Sequence, residues 1–385
     1  MISENILKFG SQVLEKFLYV NYFLLILIIL IFSIGLVLLY SAAGGSMEPW
    51  ASKQLIRFIF SLLLFFFVSF VSIKFWLGAS YYIYFISLLL LLSVNIFGNT
   101  GMGAQRWINF GLFNIQPSEL VKFTIVLALA RYFHAEKDLN IWGSIKNFIV
   151  PIMLILLPAY ITFLQPDLGS SLILVIASLT ILFVIGLSIW FFVLSGLFAI
   201  IVAPFVWFFL LYDYQKSRIL TFIDPLRDPL GDGYHIIQSK IALGSGGLFG
   251  KGFLNGSQSH LNFLPEMQTD FIFTLLAEEF GIVGTLVLLT LFISLIFYIL
   301  IIGLLCKSRY MCFVVTGVSI NIFYYVFINT AMVSGLIPVV GVPLPLVSYG
   351  GTSMMCVMFG MGLVCNAYIN RNLVIPRYKD GLFGW

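Results

Sequence analysis

Long apolar runs alternate with short polar segments along the whole chain, and none of the runs alternates apolar with polar residues as a half-buried strand does. A helix that crosses the hydrocarbon core of a bilayer needs about 20 mostly apolar residues. We predict ten such helices, over residues 18–41, 55–73, 80–97, 117–133, 146–164, 169–187, 189–211, 271–303, 311–333 and 351–369.

Two of these runs have unusual lengths. The fourth is short because Glu119 and Lys122 interrupt it. The eighth is long enough for a half-helix followed by a full span, with Gly281 near the joint. The first run is longer than the core of a signal peptide and lacks a convincing cleavage site, so we interpret it as a permanent span.

Composition supports this interpretation. Hydrophobic residues make up 61% of the 385 residues, charged residues make up 9%, and the mean hydropathy is +1.07. A soluble domain could not bury so much apolar surface, and unbroken apolar runs exclude a β-barrel. The sequence therefore predicts an all-α polytopic membrane protein, a single domain over residues 1–385 with one long extracytoplasmic loop at 212–270.

Lysine and arginine in the short loops predict the orientation, because they concentrate on the cytoplasmic side. With both termini inside, four basic residues lie in the outer short loops: Lys53, Arg57, Arg106 and Lys122. The cytoplasmic set is larger and consists of Lys8, Lys16, Lys74, Arg131, Lys137, Lys146, Lys307, Arg309, Arg371, Arg377 and Lys379. This orientation places every long polar segment outside the membrane.

The glycine-rich stretch GSGGLFGKG does not match a nucleotide-binding loop. A P-loop requires glycine where Ser245 stands and Ser or Thr where Gly252 stands, and Phe249 replaces the third glycine of a dinucleotide motif. The simplest interpretation is a flexible re-entrant loop. The segment has no nucleotide-binding motif and faces the outside, where nucleotides are scarce. Any group transfer at this outer face must therefore use a donor that arrives already activated.

Metal and nucleic-acid chemistry find little support. The spacing of His235 and His260 is too wide for a typical zinc site, and no pair of the four cysteines has metal or redox spacing. The sequence leaves open a labile Mg²⁺ or Mn²⁺ held by carboxylates and phosphate. The net charge of +4 is too small to suggest a nucleic-acid partner.

Ionisable residues at membrane ends give the first candidates for a site. Arg106, Glu119, Lys122 and Asp167 lie at such ends, where an ionisable group suggests function. Glu119 and Lys122 are three residues apart and could instead pair with each other on a helix. We weigh structure and function equally for these two. Arginine and lysine on one side would also suit a diphosphate headgroup.

A second group of candidates surrounds the start of the eighth run, where Glu266, Asp270, Glu278 and Glu279 fall within fourteen residues. Capping of a helix N-terminus would account for one of these acids. It does not account for their density. Carboxylates at an apolar boundary suit proton abstraction from a hydroxyl, so we favour a functional role for Asp270.

Four stretches resemble the SEDS (shape, elongation, division and sporulation) family over nearly the whole chain. They are RWINFGLFNIQPSELVKF, QPDLGSS, the long segment DPLRDPLGDGYHIIQSKIALGSGGLFGKGFLNGSQSHLNFLPEMQTDFIF, and GLIPVVGVPLPLVSYGGTS. GSQSHLNFLPE favours the rod-shape branch over the division branch. The resemblance implies a ten-span bacterial inner-membrane enzyme that polymerises lipid II into β-1,4 glycan strands and works with a class B penicillin-binding protein.

The resemblance also implies roles for single residues. Asp270 matches the family's essential aspartate, and the substrate-binding set would be Arg106, Glu119, Lys122, Asp167, Lys240, Glu266 and Ser348. Gln268 and Asn262 depart from the usual pattern, which argues against a second titrating group there. We expect Asp270 to act as general base on the acceptor hydroxyl. The alternatives are a transporter that flips lipid II and a scaffold that holds the transpeptidase.

Overall fold

The structure, a computed structural model, describes residues 17–101, 104–109, 114–135, 146–227, 231–256 and 267–376. Over these residues the main helices are α1 (Tyr22–Ala42), α2 (Ala51–Phe70), α3 (Ile73–Phe97), α4 (Pro117–Ala135), α5 (Lys146–Leu164), α6 (Leu168–Ile185), α7 (Ile189–Phe205), α8 (Asp213–Ile223), α9 (Asp232–Ser245), α10 (Ile272–Leu305), α11 (Arg309–Val333) and α12 (Gly351–Ile369).

All ten predicted spans are helices, and the all-α polytopic fold is confirmed. Eight of them are long and apolar enough to cross a membrane: α1, α2, α3, α6, α7 with its π-helical extension, α10, α11 and α12. The remaining two are α4, which carries the predicted charges, and α5, which contains Pro151 and Pro158.

Helix α4 lies in the middle of the bundle. Every residue from Val121 to Ala130 is buried, and α3, α11 and α12 pack around it. Close packing depends on small residues on its neighbours: a Cβ added at Gly317 of α11 would lie 2.4 Å from the Val126 side chain. Small residues let membrane helices approach in this way. A charged helix can occupy this position only if its charges are satisfied internally.

Helix α10 is broken, as the sequence predicts. Gly281 has φ 64° and ψ −158°, which is not helical, and it separates a short first part from a full span. The glycine-rich stretch fills the break, because the Ile282 and Val283 amides donate to the carbonyls of Gly247 and Leu248 at 3.0 and 3.1 Å. These hydrogen bonds tie the loop to α10, so the expectation of a flexible loop does not describe this structure.

A small sheet between α3 and α4 is not predicted by the sequence pattern. Strand β1 (Asn99–Gly101) pairs antiparallel with β2 (Ala104–Asn109), and β2 pairs antiparallel with β3 (Asn114–Ile115). Strands of two to six residues are too short for their alternation to stand out between two apolar runs. The sheet presents Arg106, on β2, toward the start of α6.

The long loop between α7 and α10 contains structure of its own. Helix α7 has no buried residue and ends in a π-helical turn over Val206–Leu210. Helix α9 packs against α10, and the Ser239 hydroxyl donates to the Val333 carbonyl at 2.7 Å. This contact brings Lys240, the next residue of α9, to the end of α11.

Candidate active site

Asp270 lies two residues before the first residue of α10, and its side chain is half-buried. The N-cap of α10 is Phe271, which makes no side-chain cap. Asp270 therefore lies outside the capping position that offered the simplest structural explanation for it. A Cβ added at Gly341, which has φ 73°, would lie 3.2 Å from the Asp270 Oδ2 atom. The backbone of Gly341 thus backs onto the carboxylate.

The residues just before Asp270 are held by their backbone. The hydroxyl of Ser348 donates to the Thr269 carbonyl at 2.6 Å and accepts from the Leu344 amide at 2.7 Å. The Tyr349 amide donates to the Gln268 carbonyl at 2.8 Å. The non-helical segment 335–350 therefore fixes the approach to Asp270. Ser348 is buried and makes these internal contacts, so its binding of substrate stays a prediction.

Arg106 and Asp167 form a second part of the site. Arg106 Nε lies 3.5 Å from Asp167 Oδ2, and the Asp167 side chain is 3% exposed against 21% for Arg106. Asp167 also caps α6 by accepting from the Ser170 amide at 3.2 Å. The Tyr214 hydroxyl donates to the Pro166 carbonyl, and burial raises the pKa of Tyr214, which keeps that donor protonated.

Segment 335–350 joins these two parts. A Cβ added at Gly169, two residues after Asp167, would lie 2.0 Å from the Val340 side chain. The next residue, Gly341, backs onto Asp270. Consecutive residues of one segment therefore touch the start of α6 and the carboxylate of Asp270. The structure therefore brings Asp167 and Asp270 to opposite sides of one short segment, and their joint role in a site stays a prediction.

Lys240 reaches the same segment from α9. Its side chain is exposed and crosses Gly335, where an added Cβ would lie 2.1 Å from Lys240 Cε. A glycine with φ 69° provides the space for it. Lys240 thus offers a cationic group at one end of the segment whose middle contacts Asp270. Glu266 lies outside the described residues, so its predicted role stays a prediction.

Glu119 and Lys122 are closed against each other inside the bundle. Lys122 Nζ lies 2.7 Å from Glu119 Oε1 and 3.2 Å from the Tyr325 hydroxyl, and that hydroxyl donates to Glu119 Oε2. The relative exposure of Lys122 is 1% and that of Glu119 is 3%. This geometry supports the pairing alternative for the two residues. Binding of substrate by Glu119 and Lys122 stays a prediction, and it requires this cluster to open.

Glu278 and Glu279 serve the break in α10. Lys251 Nζ lies 2.7 Å from Glu278 Oε1, and the Ser41 hydroxyl donates to Glu279. The backbone carbonyls of both acids accept from the amides of Lys251 and Gly252, at 2.9 and 3.0 Å. Their presence near Asp270 in the sequence therefore has a structural cause. The density of acids no longer supports catalysis, whereas the position of Asp270 does.

Within the described ranges no three His, Cys, Asp or Glu side chains come close enough to hold a metal ion. Asp167 and Asp270 each offer a single carboxylate to an ion that also contacts phosphate, so a divalent cation stays a prediction.

Three residues that contact this region escaped the sequence analysis: Tyr214, Tyr325 and Asn329. The signal available for the last two was their spacing of four residues on an otherwise apolar helix, which places them on one face. Asn329 donates from Nδ2 to the carbonyls of Asp270 and Val342, at 2.9 and 2.7 Å. Tyr214 lies in a loop helix with no comparable pattern.

Comparison with known proteins identifies the family. The model of the FtsW, RodA and SpoVE proteins, described as cell cycle protein, matches residues 20–373. The chain belongs to this family. Its relatives include the peptidoglycan glycosyltransferase MrdB of Escherichia coli, which is 46% identical over 300 residues, or 77% of this chain and 80% of MrdB. The stage V sporulation protein E of Bacillus subtilis is 36% identical over 353 residues, or 89% and 95% of the two chains.

Solved structures agree. A chain from a peptidoglycan synthase complex, studied for how it coordinates polymerisation and crosslinking, matches with a TM-score of 0.78 and 32% identity, covering 92% of this chain and 98% of that one. The rod shape determining protein RodA of Thermus thermophilus matches with a TM-score of 0.69 and 29% identity over 92% and 98%. The resemblance to the SEDS family is confirmed.

Proposed function

We propose that this chain is a peptidoglycan glycosyltransferase that polymerises lipid II during cell elongation, with Asp270 as its general base. The observation that carries the role of Asp270 is its combination of a fixed backbone and a half-exposed carboxylate, at the point where α6, α10 and segment 335–350 meet. The activity itself follows from membership of the family and from the names of its relatives.

The reaction needs one proton acceptor and one anionic leaving group. The acceptor sugar's 4-hydroxyl attacks the anomeric carbon of the growing glycan, and Asp270 takes its proton. The bond from that carbon to the lipid diphosphate breaks, and the diphosphate leaves with the electron pair. Attack from the opposite face converts the α-linkage to a β-1,4 bond. A positioned general base contributes roughly 10²–10⁴-fold in rate.

Cationic side chains near Asp270 would stabilise the leaving diphosphate. Arg106 is 21% exposed and Lys240 is exposed, so both can meet a ligand without rearrangement of the core. Arginine binds phosphate through two parallel hydrogen bonds, and lysine acts as a point charge. Lys122 would join them only after its pair with Glu119 separates. The site residues named here are therefore Arg106 and Lys240 first, with Lys122 conditional.

The charge of the short loops indicates where the reaction takes place, and a solved relative indicates the partner. The lysine and arginine bias of the short loops favours cytoplasmic termini and an extracytoplasmic site. A solved relative belongs to a complex that couples polymerisation to crosslinking. We infer that this chain works with a class B penicillin-binding protein that crosslinks the new strand.

A gel assay of glycan formation from labelled lipid II tests the proposal. Purified wild-type protein should produce a ladder of glycan, and Asp270→Asn should produce roughly 10²–10⁴-fold less while unfolding at a similar temperature. Each protein is assayed alone, with its penicillin-binding partner, and with a chelator, which tests the cation. Normal polymerisation by folded Asp270→Asn would overturn the proposed role.

The same assay separates the enzyme from a transporter of lipid II. In detergent there are no two compartments, so a transporter would leave no product. The names of the relatives do not favour transport, and the site described here gathers at helix ends rather than halfway along the spans, where transporters of this size bind substrate. A scaffold would tolerate Asp270→Asn.

A further inference from the structure

One face of α11 carries three polar side chains spaced four residues apart: Asn321, Tyr325 and Asn329. A spacing of four residues places side chains on the same face of a helix. All three are buried, with exposures of 2%, 0% and 0%. Buried polar groups in a membrane helix are costly unless they are paired, so each requires an explanation.

The first two side chains serve α4. The Asn321 amide donates to the Lys122 carbonyl at 2.8 Å, and the Tyr325 hydroxyl contacts both Lys122 and Glu119. The third side chain contacts a different region. Asn329 donates hydrogen bonds to the turn before α10 and to segment 335–350. The stripe thus begins at the sealed ion pair and ends at Asp270.

Asn329 uses both hydrogens of its carboxamide. Nδ2 donates to the Asp270 carbonyl at 2.9 Å and to the Val342 carbonyl at 2.7 Å. The opposite orientation of the amide would direct Oδ1 at two carbonyl oxygens, so these contacts determine which way the group points. Val342 follows Gly341, whose backbone backs onto the Asp270 carboxylate. One side chain therefore binds both the backbone of Asp270 and the backbone segment Gly341–Val342 that lies beside its carboxylate.

The remaining atom, Oδ1 of Asn329, is buried and accepts no hydrogen bond within the part of the chain that the structure describes. A buried acceptor in this state is destabilising, because nothing replaces its lost hydration. It is consistent with a side chain whose two donated hydrogen bonds matter more at this position than the satisfaction of its own oxygen.

We propose that Asn329 is a positioning residue for the general base. It fixes the distance between the Asp270 backbone and the Gly341–Val342 backbone, and so sets the direction of the Asp270 carboxylate toward the acceptor hydroxyl. This inference rests on the proposed function of Asp270. A displacement of the base of about 1 Å can cost on the order of 10²-fold in rate. The proposed phosphate-binding groups, Arg106 and Lys240, lie on other elements, β2 and α9.

The test compares Asn329→Ala with a matched control, Asn366→Ala. Asn366 is also a fully buried asparagine on a membrane helix, and its amide also donates to backbone carbonyls, those of Val68, Ser69 and Val71. It lies near the C-terminal end of α12, whereas segment 335–350, which contacts Asp270, precedes the N-terminal end of that helix. Both changes remove the same group at the same burial, so a general loss of packing should affect both proteins equally.

We expect Asn329→Ala to lower kcat for lipid II polymerisation about 10²-fold, in line with a misplaced base, and to leave KM within about threefold. Asn366→Ala should lower the unfolding temperature by a similar amount and keep kcat within about threefold, because it holds no group near the reaction. Asn329→Gln retains the donor on a longer side chain and should recover part of the lost kcat.

Two outcomes contradict the inference and are distinct from failure of the proposed function. Equal kcat for Asn329→Ala and Asn366→Ala, with Asp270→Asn inactive, would leave Asp270 as the base and remove Asn329 from its positioning. A loss confined to KM would assign Asn329 to binding instead. Full activity of Asp270→Asn would overturn the proposed function itself. If Asn329→Ala does not fold, Asn329→Gln decides: its longer side chain displaces the donor, so kcat should fall below the wild-type value, and a full wild-type kcat would refute the role.

Discussion

Two groups of carboxylates in this chain are held in opposite ways. At Glu119 the charge is sealed: its exposure is 3%, and Lys122 and Tyr325 contact both of its oxygens. At Asp270 the backbone is fixed by Asn329, and the two residues before it are held by Ser348 and Tyr349, whereas the side chain stays half-buried. At Glu119 the partners fix the side chain inside the bundle, and at Asp270 the main chain is fixed while the side chain keeps part of its surface exposed.

The difference indicates what each group can do. A sealed ion pair in the middle of a bundle is stabilised by its partners and cannot exchange protons with a ligand unless it opens. A carboxylate with a fixed backbone and a partly exposed side chain can be approached by a substrate from its exposed side. Sequence position alone does not distinguish the two, because each lies within about one turn of the start of a membrane helix.

The largest expected effect comes from exchanging charge for amide at the two sites. Asp270→Asn should reduce polymerisation by roughly 10²–10⁴-fold, the contribution of a general base, with little change in unfolding temperature. Glu119→Gln should instead lower the unfolding temperature and change polymerisation little, because it leaves Lys122 buried without its counter-ion. Polymerisation assays and thermal unfolding of the two purified variants measure the contrast. Equal loss of stability in both would remove the distinction.

The next effect tests whether the sealed pair is structural. Lys122→Met removes one partner and should destabilise the protein by about 3–5 kcal/mol, since it leaves a buried carboxylate unpaired. The double variant Glu119→Gln with Lys122→Met should regain most of that loss, because neither charge remains. Thermal unfolding of the single and double variants gives the coupling. A stable double variant that fails to bind lipid II would show that at least one of the two charges contributes to binding, which requires the buried pair to open.

The sequence predicted the spans better than the site. Apolar run length gave all ten helices, and Gly281 gave the break in α10, because lipid forces the backbone to satisfy its own hydrogen bonds. The sheet that carries Arg106 was missed, since strands of two to six residues leave no periodic signal. The glycine-rich loop was taken as flexible, because its hydrogen bonds to α10 involve backbone atoms that no side-chain pattern reveals.

Within the site, the sequence supplied residue types and the fold decided their use. Asp270 and Lys240 were predicted for the site, and the structure brings both to segment 335–350. Glu278 and Glu279 were counted with Asp270, but they point to the break in α10. Asp270 precedes the first residue of α10, whereas the two glutamates lie just before the break at Gly281. Spacing alone does not show where the helix begins, so it does not separate these acids.

A smaller effect concerns the break in α10. Gly281→Ala places a side chain at φ 64°, and its Cβ would lie 2.4 Å from the Gly250 amide nitrogen, so we expect a loss of about 1–3 kcal/mol. Gly196→Ala is the control: Gly196 lies within α7 with nothing within 4 Å of an added Cβ, and alanine should stabilise by about 0.5–1 kcal/mol there. Equal unfolding temperatures for the two variants would contradict the packed break.

The smallest effect separates the two contacts of Asp167. Asn caps a helix about as well as Asp, so Asp167→Asn keeps the bond to the Ser170 amide and loses only the ion pair with Arg106. Arg106 is partly exposed, so this change should cost less than about 1 kcal/mol. Asp167→Ala also removes the cap and should cost about 1 kcal/mol more.

Thermal unfolding ranks the two variants, and KM for lipid II is then compared. If KM rises equally in both, the charge of Asp167 orients Arg106 for the diphosphate, and this region resembles Asp270 more than the sealed pair. If KM is unchanged while stability falls, the Arg106–Asp167 pair is structural, and Asp270 and Lys240 remain as the proposed base and phosphate-binding group.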